Sequence, residues 1–113
     1  DNTGAQVGTV RFGGASIVLN GALNYAADAQ ANDTYVIDLA VDVTAYVAGL
    51  QIFFEANTVN TGAATIAVDG LAAITIHKRA ATVLADGDIP ADSIAHLVYD
   101  ADAEFQLMNP VVN

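Results

Sequence analysis

Short runs of β-branched and aromatic residues, each cut off by Gly, Pro, Asn or Asp, recur along this 113-residue chain. That rhythm constrains the fold more than any other feature, because runs of this length suit strands and are too short for helices. The clearest run is residues 34–43, where Tyr35, Ile37, Leu39, Val41 and Val43 share one phase and Asp38 and Asp42 the other. Strict alternation predicts a strand with one buried face. Residues 50–56 resume it, with Leu50, Ile52 and Phe54 on one side and Gln51, Phe53 and Glu55 on the other. Phe53 thus falls on the polar side, a place suited to contact with a partner chain. Asp69 and Gly70 separate the runs 63–68 and 72–78, and Asp-Gly between apolar runs is a strong hairpin signal. Gly13 and Gly14 play the same part between 7–12 and 15–19. A last hairpin joins 94–99 to 103–108 around Asp100, Ala101 and Asp102.

Residues 20–32, richer in Ala, Asn and Gly, read as a connection or as a short helix from Ala26 to Ala31. Residues 57–62 form a turn cluster and 85–93 a loop. About eight strands in all predict an all-β fold, an antiparallel β-sandwich or jelly-roll-like domain. The expected core is Ile37, Leu39, Ile52, Phe54, Ile66, Val68, Ile74, Ile76, Val98, Phe105 and Leu107.

Charge narrows the function. Thirteen acidic and three basic residues leave a net charge of −10. Nucleic acid and anionic membranes are poor partners for such a chain, since both are bound through Lys and Arg. No apolar run approaches the roughly 18 residues of a membrane span. There is no cysteine, so neither disulfides nor thiolate metal sites contribute. A small surface protein without such staples draws on oligomerisation instead. The hydrophobic fraction of 54% exceeds what a core of this size needs and points to a protein–protein interface. Asp1, with no initiator Met and no basic leader, reads as a processed end or the start of a fragment.

Four groups of polar residues invite a chemical reading. Asp86, Asp88 and Asp92 share one loop and offer hard oxygen ligands for calcium, but Pro90 interrupts them and the EF-hand spacing is absent; solvated turn residues are the simpler account. Asp100, Asp102 and Glu104 alternate, which a hairpin turn explains without a metal. Ser93 and His96 could pair as nucleophile and base, yet no spacing supplies an orienting acid or an oxyanion hole. His96 alternates with Val98 and is expected on a sheet face, at an interface. His77, Lys78 and Arg79 gather the basic side chains apart from Arg11. They read as a solvated hairpin end, or as partners for carboxylates of a neighbouring subunit. No catalytic, cofactor-binding or metal-ligating residue is therefore assigned. Hydrolysis of surface glycans would need two positioned carboxylates, and the acids here sit in loops.

Three segments carry a family resemblance: TAYVAGLQIFFEANTVNTGAATIAVDGLAAITIHK at 44–78, LADGDIPADSIAHLVYD at 84–100, and AEFQLMNP at 103–110. Together they resemble a small module of bacteriophage tail-fibre and tail-spike proteins. Tyr46 and Gly49 match its opening turn. Asn60, Thr61, Gly62, Ala63, Ala64 and Thr65, then Val68 and Gly70, match its second element. Gly87, Asp88 and Ile89 match its loop, and Leu97, Val98, Tyr99, Asp100, Phe105, Gln106 and Leu107 its close. Asp69 stands where the family often has Asn, Asp92 where a second loop glycine is common, and Ala101–Asp102 where it has Gly.

The resemblance implies a β-sandwich-like fold, usually within a homotrimeric fibre, and no catalytic residues. The expected function is that of a non-enzymatic structural or adhesive part of a virion appendage, at the virion surface or outside the cell. It would contact other virion proteins and a host-cell receptor, without a cofactor. The alternative is a self-assembling subunit of an extracellular filament or a capsid decoration. Residues 33–113 form the fibre-type module and 1–32 an N-terminal pair of strands or an arm, within one compact domain. The apolar residues between Val7 and Leu19 must join a sheet. They either form a hairpin at Gly13–Gly14 on their own domain or extend to complete a neighbour's sheet.

Overall fold

The computed structural model describes Arg11–Phe12, Ala15–Ser16 and residues 23–112. Ten strands follow in order: β1 (Arg11–Phe12), β2 (Ala15–Ser16), β3 (Tyr25–Ala27), β4 (Thr34–Ile37), β5 (Gln51–Glu55), β6 (Ala64–Val68), β7 (Ile74–Lys78), β8 (Thr82–Val83), β9 (Ile94–Tyr99) and β10 (Phe105–Leu107). No helix occurs among the described residues. The all-β expectation holds. The pairing, however, is mixed rather than purely antiparallel. Seven strands run in the order β3-β5-β9-β10-β7-β6-β4, with β8 added beside β7. Three of the contacts, β3 with β5, β4 with β6 and β10 with β7, are parallel. Consecutive strands joined by tight turns pair antiparallel, whereas parallel neighbours need long connections that local sequence does not mark.

The edges of this sheet approach one another. Asp28, just after β3, accepts the Val36 N–H of β4 at 2.8 Å, so the sheet curls almost into a barrel. The carboxylate stands in for a backbone carbonyl on the free edge of β4, which blunts that edge. Inside lie Tyr35, Ile37, Ile52, Phe54, Ile66, Val68, Ile76, Leu97 and Phe105, all essentially inaccessible.

The helix option for Ala26–Ala31 is not realised. Tyr25–Ala27 pairs with Phe53–Glu55 instead, extended by Phe53 N–H to the Asn24 carbonyl and Asp28 N–H to the Glu55 carbonyl. A single helical turn has a costly nucleus and little packing, so the strand partner wins. This also carries the sheet back across residue 33 into the N-terminal segment.

The alternation of 34–43 holds through Leu39 and then fails. Asp69 accepts from Leu39 N–H at 2.7 Å and from Val43 N–H at 2.6 Å, bending the chain away. Val41 is exposed and Val43 half-buried as a result. At the hairpin itself, Asp69 and Gly70 both adopt positive φ (53° and 80°), and Leu71 N–H bonds to the Val68 carbonyl. That is a type I′ turn, the form whose twist suits a hairpin.

Two members of the expected core move. Ile74 is half-buried against the core, and Val98 lies half-buried on the opposite face of β9. Residues 94–99 are apolar in both phases, so alternation cannot choose. Pairing with β5 does: Leu97 faces Ile52 and Ala95 faces Phe54. Tyr35, Ala56, Ala64, Leu84 and Ile89 join the core as well. At the N-terminus, Arg11 pairs with Ser16 and Phe12 with Ala15, antiparallel, as the Gly13–Gly14 hairpin requires. The glycines themselves, and residues 1–10 and 17–22, lie outside the described residues. β1 and β2 form a two-stranded sheet of their own.

Candidate functional site

The motif residues converge on two buried clusters. In the first, Tyr46 stacks on Tyr99 (centroids 5.2 Å apart), and Phe105 meets both rings edge-on. The Tyr46 hydroxyl donates to the Ala72 carbonyl at 2.7 Å and accepts from Val68 N–H at 3.1 Å. Gly49, at φ 96°, donates its N–H to the Tyr99 carbonyl. The opening turn is thereby pinned to the β6–β7 hairpin and to the closing hairpin.

The second cluster is polar. Lys78 and Asp88 are 2% and 1% exposed, with Nζ and Oδ2 2.6 Å apart. Asp88 also accepts from Ala85 N–H (2.7 Å) and Val112 N–H (2.8 Å), while Lys78 donates to the Val112 carbonyl at 2.8 Å. Asn60 completes the group: its amide donates to the Gly62 and Ala85 carbonyls, and its oxygen accepts from Ile89 N–H at 2.7 Å. Every strong donor and acceptor around the ion pair thus has a partner, which a buried charge requires. Burial alone raises the Asp88 carboxyl pKa. The Lys78 hydrogen bond and charge, with the two N–H groups, outweigh it and hold the carboxyl below its ordinary value.

This arrangement corrects two expectations. Lys78 is no solvated hairpin end, and Asp88 is no solvated turn residue. Lys78 shares the phase of Ile74 and Ile76, so its inward position was readable; its partner, ten residues away in a loop, was not. Asp86 and Asp92 stay exposed, so the loop's three carboxylates do not converge. Asp100, Asp102 and Glu104 also separate. Asp100 accepts from the N–H groups of Asp102 and Glu104 and from the Gln106 side chain, whereas Glu104 reaches His77 Nδ1 at 2.9 Å. Ser93 donates to the Pro90 carbonyl and His96 Nε2 bonds Gln51, so these two do not pair.

What faces outward is a row of large side chains across four neighbouring strands. Tyr25 on β3 is opposite Phe53 on β5, which is opposite His96 on β9. Met108, just after β10, lies alongside, its N–H bonded to the His96 carbonyl at 2.8 Å. Phe53 and His96 stack in parallel at 4.3 Å. Tyr25 donates its hydroxyl to Glu55, and Gln51 steadies His96 at 2.9 Å. Ile94 is exposed beside the row. The Phe53 and His96 positions were legible from phase alone. Tyr25 and Met108 were not, because their strands pair through distant contacts.

The titrating groups set a pH window. Thr61 hydrogen bonding lowers the Asp33 pKa, and Gln106 hydrogen bonding lowers that of Asp100, as the Lys78 cluster does for Asp88. Groups so depressed stabilise the fold above the unfolded carboxylate value of 3.8, and this is lost as pH falls through the folded values. On the alkaline side, burial and then the charges of Asp33 and Asp28 raise Tyr35 from 10.0 to about 12. Its contribution is present below pH 10.0 and is lost as pH rises toward 12. Urea midpoints measured across pH should show a plateau bounded by these two falls. Tyr35→Phe is expected to flatten the alkaline one, and an unchanged alkaline limb in that variant would refute the assignment.

No family model and no curated protein sequence matches this chain.

Proposed function

We propose that this chain is a non-enzymatic structural or adhesive module of a bacteriophage appendage, a tail fibre or spike. It works at the virion surface as a homo-oligomer, a trimer being the first arrangement to test, beside other virion proteins and toward a host-cell receptor. The motif resemblance supplies the context. The observation that supports it is the outward row of Tyr25, Phe53, His96 and Met108 on a well-packed sheet. A sheet face that keeps aromatic and thioether side chains in water is suited to contact with another protein. Multi-angle light scattering and electron microscopy of the purified chain test this. A closed, rotationally symmetric oligomer is expected; a monodisperse monomer at micromolar concentration would overturn the reading.

The second reading is a self-assembling subunit of an extracellular filament or a capsid decoration. The separate β1–β2 sheet favours it, since a lone two-stranded ribbon is marginal and looks for a surface elsewhere. Open helical symmetry in the same images would select it, because only a non-closing contact makes a filament.

A further inference from the structure

We propose that the outward row on β3, β5 and β9 is the seat of the β1–β2 hairpin of a neighbouring copy. The inference deepens the oligomer reading above and rests on it. Two observations meet here. The face carries Leu23, Tyr25, Ile94 and Met108 at 43%, 37%, 44% and 56% exposure, with Phe53 and His96 between them. The segment that leads into this face carries Val7, Val10, Phe12, Ile17, Val18 and Leu19.

A two-stranded ribbon has no second layer, so its apolar side chains need a surface from elsewhere. β1 and β2 pair only with each other among the described residues. The chain enters β3 at Leu23, on the rim of the face, six residues after Ser16. That connection spans at most about 25 Å when extended. The row, four strands wide, extends about 15 Å. The hairpin can therefore lie on a face adjacent to its own domain. It does not cover its own: Leu23, Tyr25 and Met108 keep their exposure with the same chain's hairpin present. The seat is thus left for a second copy. Charge agrees, since Arg11 flanks Phe12 on the hairpin while Glu55 stands within the face of an otherwise acidic chain.

The absence of cysteine makes the test clean. Single variants Phe12→Cys and Met108→Cys of the full chain would be purified separately, mixed under conditions of subunit exchange and oxidised. A covalent dimer containing both variants is expected, and Phe12→Cys with Val83→Cys on β8 should give none above background. In the double variant Phe12→Cys/Met108→Cys, a ladder of linked chains is expected. A single chain with an internal disulfide would place the hairpin on its own domain and overturn the proposal. An absence of any crosslink would also overturn it. A second measurement guards against misfolding: Phe12→Asp should keep its far-ultraviolet spectrum while the oligomer peak shifts to monomer mass. An oligomer that persists in Phe12→Asp would sink the hairpin seat and leave the oligomer reading standing; a wild-type monomer would sink that reading first.

Discussion

Phe54→Ala and Phe105→Ala are each expected to lower stability by about 3–5 kcal/mol, measured by urea denaturation. Both rings are fully buried. Phe54 packs against Tyr35 with centroids 5.0 Å apart, joining β5 to β4 across the interior. Phe105 sits edge-on to Tyr46 and Tyr99, so its removal leaves a void between three elements. The loss combines the transfer term with the cavity left behind, because these strands are held by ladders on both sides and cannot collapse freely. Typical domains hold only about 5–15 kcal/mol in total. Either variant would consequently lie near the folding threshold. Phe54→Leu, which keeps most of the volume, should lose far less. A cost below about 1 kcal/mol for both alanine variants would show that the sheet does not close over these rings.

The second large effect concerns the ion pair. Lys78→Met is expected to cost about 3–5 kcal/mol, since it strands the Asp88 carboxylate in the interior without its counter-charge. Asp88→Ala should cost as much, because it also orphans Ala85 N–H and Val112 N–H. Lys78→Met/Asp88→Asn should cost less than the sum of its single changes, for the double variant leaves no buried charge unpaired. Strict additivity in that cycle would mean that the two side chains do not interact in solution. The single Lys78 variant should also free the last residues, as Lys78 Nζ holds the Val112 carbonyl. Hydrogen exchange at Val112 N–H would report this directly. The pair thus ties β7, the 85–93 loop and the C-terminal segment into one unit, which a load-bearing fibre module would need.

Much of the fold was legible in the chain itself, and the divide has a physical reason. Local chemistry determined the all-β character, the turn at Asp69–Gly70, the hairpin at Gly13–Gly14, and the inward phase of Tyr35, Ile52, Phe54, Ile66 and Ile76. Each depends on residues a few positions apart: a φ preference, a period of two, a turn that closes in two residues. Phase also placed Phe53 and His96 outward, and it placed Lys78 inward had its charge not argued otherwise. Contacts between residues far apart in sequence decided the rest. Parallel pairing of β3 with β5 turned a possible helix into an edge strand. Asp69 ended β4 early by claiming two N–H groups 26 and 30 residues away. Leu97 took the interior from Val98 because Ile52 stood opposite. Asp88 became an interior charge only because Lys78, Ala85 and Val112 converge on it. A carboxylate's environment is set by what surrounds it in space, and a sequence lists neighbours along one dimension only.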